Sequence, residues 1–261
     1  MLQGGILRSM ARATNVAVNT STNLVAGGLG DGDITLMQGI LDLRVDSAVT
    51  GAADTEREFV RYTSGSGAGP NLIVNGSSTI NVDRNFYTGT YTRAAGVVTA
   101  ELPGGHGFVN GQSINVSTGA NTGNFTITSV TGNTITYADA TGAATSGNFV
   151  ANNNSGTTKV ITFNNLTIGS QTLSITGGNS YEVAVAGTTT LLGNTVLNSG
   201  VNNTVLGGGA GASGTSESIV TDGGKVMFNK IGTGTLWVHS TNNNLNADVY
   251  VNAGLLAFGN A

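Results

Sequence analysis

The sequence has no cysteine and only two prolines, and charged residues make up only 9% of its 261 positions. The lack of cysteine excludes disulfide scaffolds, thiolate metal sites and cysteine nucleophiles. Ten Lys and Arg are scattered along a chain of net charge −4. The positive field that binds phosphates is therefore missing, and we expect no nucleic-acid partner. No apolar run reaches the roughly 18 residues of a membrane helix, so we expect no membrane span in this chain.

Glycine is abundant, at 41 residues, and 39% of the chain is hydrophobic. Short alternating groups of Val, Ile and Leu, separated by Gly, Asn and Ser, predict many short strands joined by tight turns. Strand starts recur every 21–23 residues in the C-terminal half, at Val160, Val183, Val205, Val226 and Val249. That spacing suits one turn of a β-solenoid. The sequence therefore predicts an all-β fold with solenoid rungs over 1–91 and 152–261, in which Val160, Val183, Val226 and Val249 face inward.

Residues 92–151 interrupt this spacing with closely following hairpins. Gly132 and Asn133 lie between two alternating strands, and such a pair is typical of a two-residue hairpin turn. We therefore predict a small antiparallel β-barrel or sandwich over 92–151, inserted into or lying beside the solenoid.

Two segments resemble known families. Residues 230–238 (KIGTGTLWV), Asn242 and residues 251–256 (VNAGLL) closely resemble the autotransporter-associated β-strand repeat, whose pattern is Lys-x-Gly-x-Gly-Thr-Leu-x-Leu, then Asn, then Val-Asn-x-Gly-x-Leu. Residues 24–43 look like a weaker copy. Separately, residues 105–127 are similar to small β-domains of phage tail and bacterial surface proteins, which are usually spacers or decorations.

The first resemblance implies a right-handed parallel β-helix that crosses a Gram-negative envelope and is displayed outside the cell. We therefore expect a non-enzymatic structural or adhesive segment with an extracellular or cell-surface location. Residues 1–20 lack the apolar core of a signal peptide, so we expect any export signal to lie outside this chain. Two alternatives remain open: a polysaccharide-degrading β-helix enzyme and a phage tail-fibre segment.

Candidate sites for chemistry are few. The segment from Gly27 to Ile34 (GGLGDGDI) nearly matches the calcium nonapeptide of β-rolls, with Asp31 and Asp33 as candidate ligands. Only one copy is present, however, so an acidic turn is the simpler interpretation and we expect no cofactor. His106 and His239 have no nearby partners that would complete a triad, and we expect turn or surface roles.

The charge cluster at Asp54, Glu56 and Glu58 contains the paired carboxylates that polysaccharide cleavage needs. The intervening Arg57 and nearby Arg61 indicate exposed ion pairs instead. The glycine-rich stretch 207–215 lacks the Lys and hydroxyl of a phosphate-binding loop.

The C-terminal strands supply a candidate assembly surface. An open strand edge invites pairing with another chain, and the chain carries apolar and aromatic side chains there. We expect head-to-tail self-association between the strand over 249–258 and the N-terminal rung, with an assembly surface that includes Trp237, Tyr250, Val251, Leu256 and Phe258. Contact with surface polysaccharide through Trp237 and Tyr250 is the alternative.

Overall fold

The computed structural model describes residues 1–12, 23–25, 32–46, 58–62, 70–104, 106–153, 159–201, 203–207, 219–239 and 244–259. These residues form strands and turns, with no helix among them. The predicted all-β class is therefore confirmed.

Twenty-four strands follow one another along this part of the chain. The first six are β1 (Leu2–Arg12), β2 (Asn23–Val25), β3 (Ile34–Asp46), β4 (Glu58–Tyr62), β5 (Leu72–Val74) and β6 (Ser78–Asp83). The next six are β7 (Phe86–Ala94), β8 (Val97–Glu101), β9 (Ser113–Thr118), β10 (Gly123–Thr131), β11 (Thr134–Ala138) and β12 (Thr145–Asn153). The last twelve are β13 (Lys159–Phe163), β14 (Leu166–Ile168), β15 (Thr172–Gly177), β16 (Glu182–Val185), β17 (Thr189–Leu191), β18 (Thr195–Ser199), β19 (Asn203–Leu206), β20 (Ile219–Thr221), β21 (Val226–Ile231), β22 (Thr235–Val238), β23 (Ala247–Val251) and β24 (Leu255–Phe258).

The strands outside β7–β12 form two parallel sheets. The larger has eleven strands in the order β20-β17-β14-β5-β3-β6-β15-β18-β21-β23, with β1 beside β3. The smaller has seven in the order β2-β4-β13-β16-β19-β22-β24. After β12, each strand pairs with the strand three places further along the chain, as in β13-β16-β19-β22. In the last rung the spacing falls to two, since β21 pairs with β23 and β22 with β24. The chain thus repeats a circuit of three strands, and the fold has a solenoid-like parallel-strand character.

The core lies where the two sheets face each other. Alternate residues of each strand point into it, as the alternating burial along β6 and β18 shows. A single apolar cluster combines residues of both sheets, including Leu36, Leu41, Phe163, Leu236 and Val238. These five side chains are almost fully buried. Alternation in the sequence therefore sets which face of each strand packs inward.

The predicted inward valines are partly corrected by the strand register. Val183 is buried in the core, and Val226 packs partly buried against it. Val160 is also buried, but its neighbour Ile161 is the register partner of Val183. Val160 belongs to a separate small cluster outside the main core. Val249 lies in the inward row of the buried Phe228, as predicted, but it is 41% exposed, because β23 is the last strand of its sheet.

Strands β7–β12 close into an antiparallel barrel in the order β10-β11-β8-β7-β12-β9. Thr131 pairs with Thr134, so Gly132 and Asn133 form the predicted two-residue hairpin turn, with Gly132 at φ +58°. The barrel has its own core, to which the main core contributes no residue. Its strands run from Phe86 to Asn153, while the boundaries 1–91, 92–151 and 152–261 stay a prediction.

Candidate assembly surface

The last two strands leave the main core open at one end. Val249 and Val251 pair with the buried Phe228 and Lys230 and so continue an inward-facing row. Leu256 and Phe258 continue the inward rows of Leu236 and Val238 in the same way. Val249, Val251 and Phe258 are nevertheless 41–54% exposed, and Leu256 is only partly buried. Among the described strands, none pairs with the outer edge of β23 or β24.

The five predicted assembly residues do not form one patch. Val251, Leu256 and Phe258 lie together at the open end of the core. Tyr250 pairs with Asn229 and points to the outer face of the larger sheet, where it is 48% exposed. Trp237 lies one strand earlier in the smaller sheet, as predicted outside the main core.

Trp237 is partly buried there against Val160, Ala184 and Val205. Its ring contacts that of His239 edge-on, with centroids 6.1 Å apart. Trp237 therefore packs on the outer face of the smaller sheet and is not part of the exposed end of the core. Val249 also lies at that end, whereas the 53%-exposed Leu255 pairs with Thr235 and lies on the outer face of the smaller sheet.

The opposite end of the larger sheet is also open. Among the described strands, β1 pairs only with β3. Leu7 pairs with the buried Leu41 and so continues an inward row, yet it is 41% exposed. Ile6, on the outer face, is 61% exposed. Because all strands of this sheet are parallel, the free edge of one copy could pair in parallel with the opposite free edge of another copy.

The other predicted site residues lie apart from this surface. Asp33 accepts a hydrogen bond from Asn71 Nδ2 at 2.8 Å, while its proposed partner Asp31 lies outside the described residues. No group of three or more His, Asp or Glu side chains in the described ranges is placed to hold a metal ion. His106 Nδ1 accepts a hydrogen bond from the Phe108 N–H, as a turn residue would.

The carboxylate cluster proposed for catalysis falls mostly outside the described part of the chain. Asp54 and Glu56 lie outside it, and Glu58 is described only as the backbone start of β4. The glycine-rich stretch lies outside it as well, from residue 208 onward. The calcium and catalytic hypotheses about these positions stay predictions.

Sequence analysis missed the buried carboxylates Asp42, Asp139 and Glu182. Asp42 accepts hydrogen bonds from Arg8 at 2.5 Å, Arg44 at 2.7 Å and Asn81 at 2.9 Å. Burial raises the pKa of Asp42, but the hydrogen bonds from Asn81 and Arg8 and the charge of Arg44 outweigh it and lower that pKa below its ordinary value. Because Arg8 and Arg44 also stack over Phe86, this cluster joins the barrel's first strand to the larger sheet.

Asp139 plays a similar part at one end of the barrel. It accepts hydrogen bonds from the Thr141 hydroxyl, Asn121 and Arg93. These bonds outweigh the burial that raises its pKa, and the net effect is a lowered pKa. A general acid needs a raised pKa, so neither carboxylate is suited to that role.

No protein-family model matches the chain, and no curated protein matches it. The described residues contain no helix long and apolar enough to cross a membrane.

Proposed function

We propose that the chain is a non-enzymatic structural segment, folded as a right-handed parallel β-helix, that is displayed outside the cell and stacks end to end on further copies of itself. The observation that carries the proposal is the open core at β23 and β24. Apolar rows that run through the stack end there in half-exposed side chains, and exposed strand edges are templates for pairing.

Three further observations support this proposal. Parallel strands that recur in register, three to a circuit, are the arrangement expected of β-helix rungs. Residues 230–238 and 251–256, which resemble the autotransporter-associated repeat, lie in the last strands of the two sheets, and that resemblance supports an extracellular location. Asp42 and Asp139 are each held by arginine, which favours a structural role over hydrolysis.

A second copy is the occupant that best fits the open end. The free edge of β1 and the free edge of β23 lie on opposite sides of the same sheet. A copy added head to tail would therefore continue the parallel pairing without reversing any strand. Such contacts extend into open filaments when the rotation between copies does not close a ring.

Sedimentation velocity over a concentration series tests the proposal with the variant Val251→Lys/Phe258→Lys. The wild-type chain should form species that grow with concentration. The double variant places two charges in the apolar end and should weaken association about tenfold or more, the equivalent of about 1.4 kcal/mol.

Leu192→Lys is the matched control, since Leu192 is 52% exposed but follows β17 in the interior of the sheet. This variant should associate like the wild type. A wild-type chain that stays monomeric throughout the series, or equal association of all three proteins, would contradict end-to-end stacking.

A further inference from the structure

Lys230 is a buried cation within an apolar row. It lies on β21, where its register neighbours on the adjoining strands are Leu197 and Val251. Its side chain is fully buried. In the described part of the chain, none of the ion pairs includes Lys230. Burial lowers the pKa of its ammonium group, so backbone groups must supply its stabilisation.

Three carbonyl oxygens surround the Lys230 ammonium. Nζ donates to the oxygens of Ile231, the last residue of β21, and of Gly232, in the turn that follows, each at 2.8 Å. It also donates to the oxygen of Ala253 at 3.1 Å, in the turn that joins β23 to β24. Ala253 lies in the next rung, so the ammonium joins two successive turns.

Gly254 completes the enclosure. Its φ is +70°, and a Cβ at this position would lie 2.9 Å from Lys230 Nζ. The same Cβ would lie 2.5 Å from the oxygen of Gly232 and 2.3 Å from that of Gly234. Backbone atoms cannot rotate away as a side chain can, so only glycine lets the second turn approach closely enough to enclose the ammonium.

We propose that this carbonyl cage is a monovalent-cation site, which the chain fills with its own Lys230 ammonium. When that ammonium is removed, the cage takes up free potassium or ammonium ion. Carbonyl oxygens without a carboxylate are the ligands of potassium filters. Divalent sites instead recruit carboxylates, at about 2.3–2.6 Å for calcium, whereas the oxygens here lie 2.8–3.1 Å from Nζ. The proposal does not depend on end-to-end assembly.

Chemical rescue of Lys230→Ala tests the site. The full-length variant would be melted at matched ionic strength in potassium, ammonium, sodium or choline chloride. The chain has a single tryptophan, and Trp237 pairs with Ala257 of the last rung, so its fluorescence reports locally. Hydrogen exchange of amides 247–258 gives a second local readout.

We expect Lys230→Ala to lower Tm by several degrees in choline chloride and to loosen amides 247–258. Potassium and ammonium should recover a large part of both losses, while sodium and choline should not. Lys225→Ala is the control, because this exposed lysine lies just before the same strand and pairs with Asp248 at the surface. It should show no cation-specific response.

Lys230→Met distinguishes the effect of the positive charge from the effect of the volume that the lysine side chain fills. The Met side chain has similar length and no charge, so this variant should be destabilised and should respond equally to all four salts. Equal effects of the four salts on Lys230→Ala would overturn the proposal. Failure of Lys230→Ala to fold in every salt would overturn it as well, since a free cation then does not replace the ammonium.

Discussion

The substitution Asp42→Asn should destabilise the protein strongly, although it only replaces one carboxylate oxygen by an amide group. In Asp42→Asn, Arg8 and Arg44 lose the shared carboxylate that now lies 2.5 and 2.7 Å from their Nε atoms. The side chain of Asp42 is 3% exposed and that of Arg44 is 15% exposed. Water therefore cannot replace the lost anion well.

The magnitude follows from the surroundings of each charge. Breaking a buried ion pair by removing one partner costs about 3–5 kcal/mol. Arg8 is 41% exposed, and Asp83 still lies 3.3 Å from Arg44 Nη1. Both features reduce the loss of stability, so we expect the free energy of unfolding to fall by about 3 kcal/mol, the lower end of that range.

Urea denaturation followed by circular dichroism measures this difference, with Asp248→Asn as the control. Asp248 pairs with Lys225 at 2.6 Å, but both side chains are more than half exposed, so that variant should unfold almost like the wild type. Equal midpoints for Asp42→Asn and Asp248→Asn would refute the assignment of a buried structural anion.

The pH dependence gives an independent check. The pKa of Asp42 is lowered in the folded protein from an ordinary value of 3.8. Its stabilisation is therefore fully present above pH 3.8 and is lost as the pH falls through the folded-state pKa. The difference between the wild type and Asp42→Asn should stay constant from neutral pH to about pH 4 and shrink below it. A difference that persisted at the acid end would contradict the electrostatic reasoning.

Two more changes test the stacking and the barrel. Gly234→Ala would place a Cβ 1.8 Å from the oxygen of Val201 and should cost about 3 kcal/mol or more in urea denaturation; Gly224→Ala, with nothing within 4 Å, should not, and equal effects would contradict the close approach of the turns. Replacement of 87–151 by a short turn should leave the rest of the chain folded, because Phe86 pairs with Asn152 and the two cores share no residue. Loss of the cooperative β-sheet signal in circular dichroism would show that the barrel is needed for folding.

Local pattern predicted the strands well but not their register. In β13, the adjacent apolar residues Val160 and Ile161 fit either face, and only the alternation of Ile161 with Phe163 fixes which one enters the core. The predicted strand starts Val160 and Val183 are therefore one residue out of register, since Val183 pairs with Ile161. A slip of one residue exchanges the two faces of a strand, so spacing alone could not settle the inward set.

The start of the barrel shows a different limit. Inward positions of β7 carry Tyr87, Gly89, Tyr91 and Arg93, and such a strand has too few apolar residues for its alternation to stand out. Gly89 is needed because a Cβ there would lie 1.8 Å from the oxygen of Glu101. The residues of β7 are thus determined by contacts with distant strands in the closed barrel, and the local sequence pattern does not predict this strand.

The polar contacts were beyond prediction for a related reason. Asp42 meets Arg8 across 34 residues and Asn81 across 39, and these separations depend on loops of unequal length between rungs. Lys230 is bound by backbone carbonyls, which every residue carries. A lysine also stands at this position of the repeat that residues 230–238 resemble, but nothing in the sequence indicates which groups bind it.

Buried polar groups also explain how so uniform a chain can hold one register. Parallel strands rich in Val, Ile and Leu could slip by two residues and still bury apolar side chains. Such a slip would separate Lys230 Nζ from the oxygen of Ala253 and Asp42 from Arg8 and Asn81 on the neighbouring strands. A buried hydrogen bond contributes about 0.5–1.5 kcal/mol, and one to a charged group about 1.5–3 kcal/mol. We infer that apolar rows stabilise the stack, while these few polar contacts select its alignment.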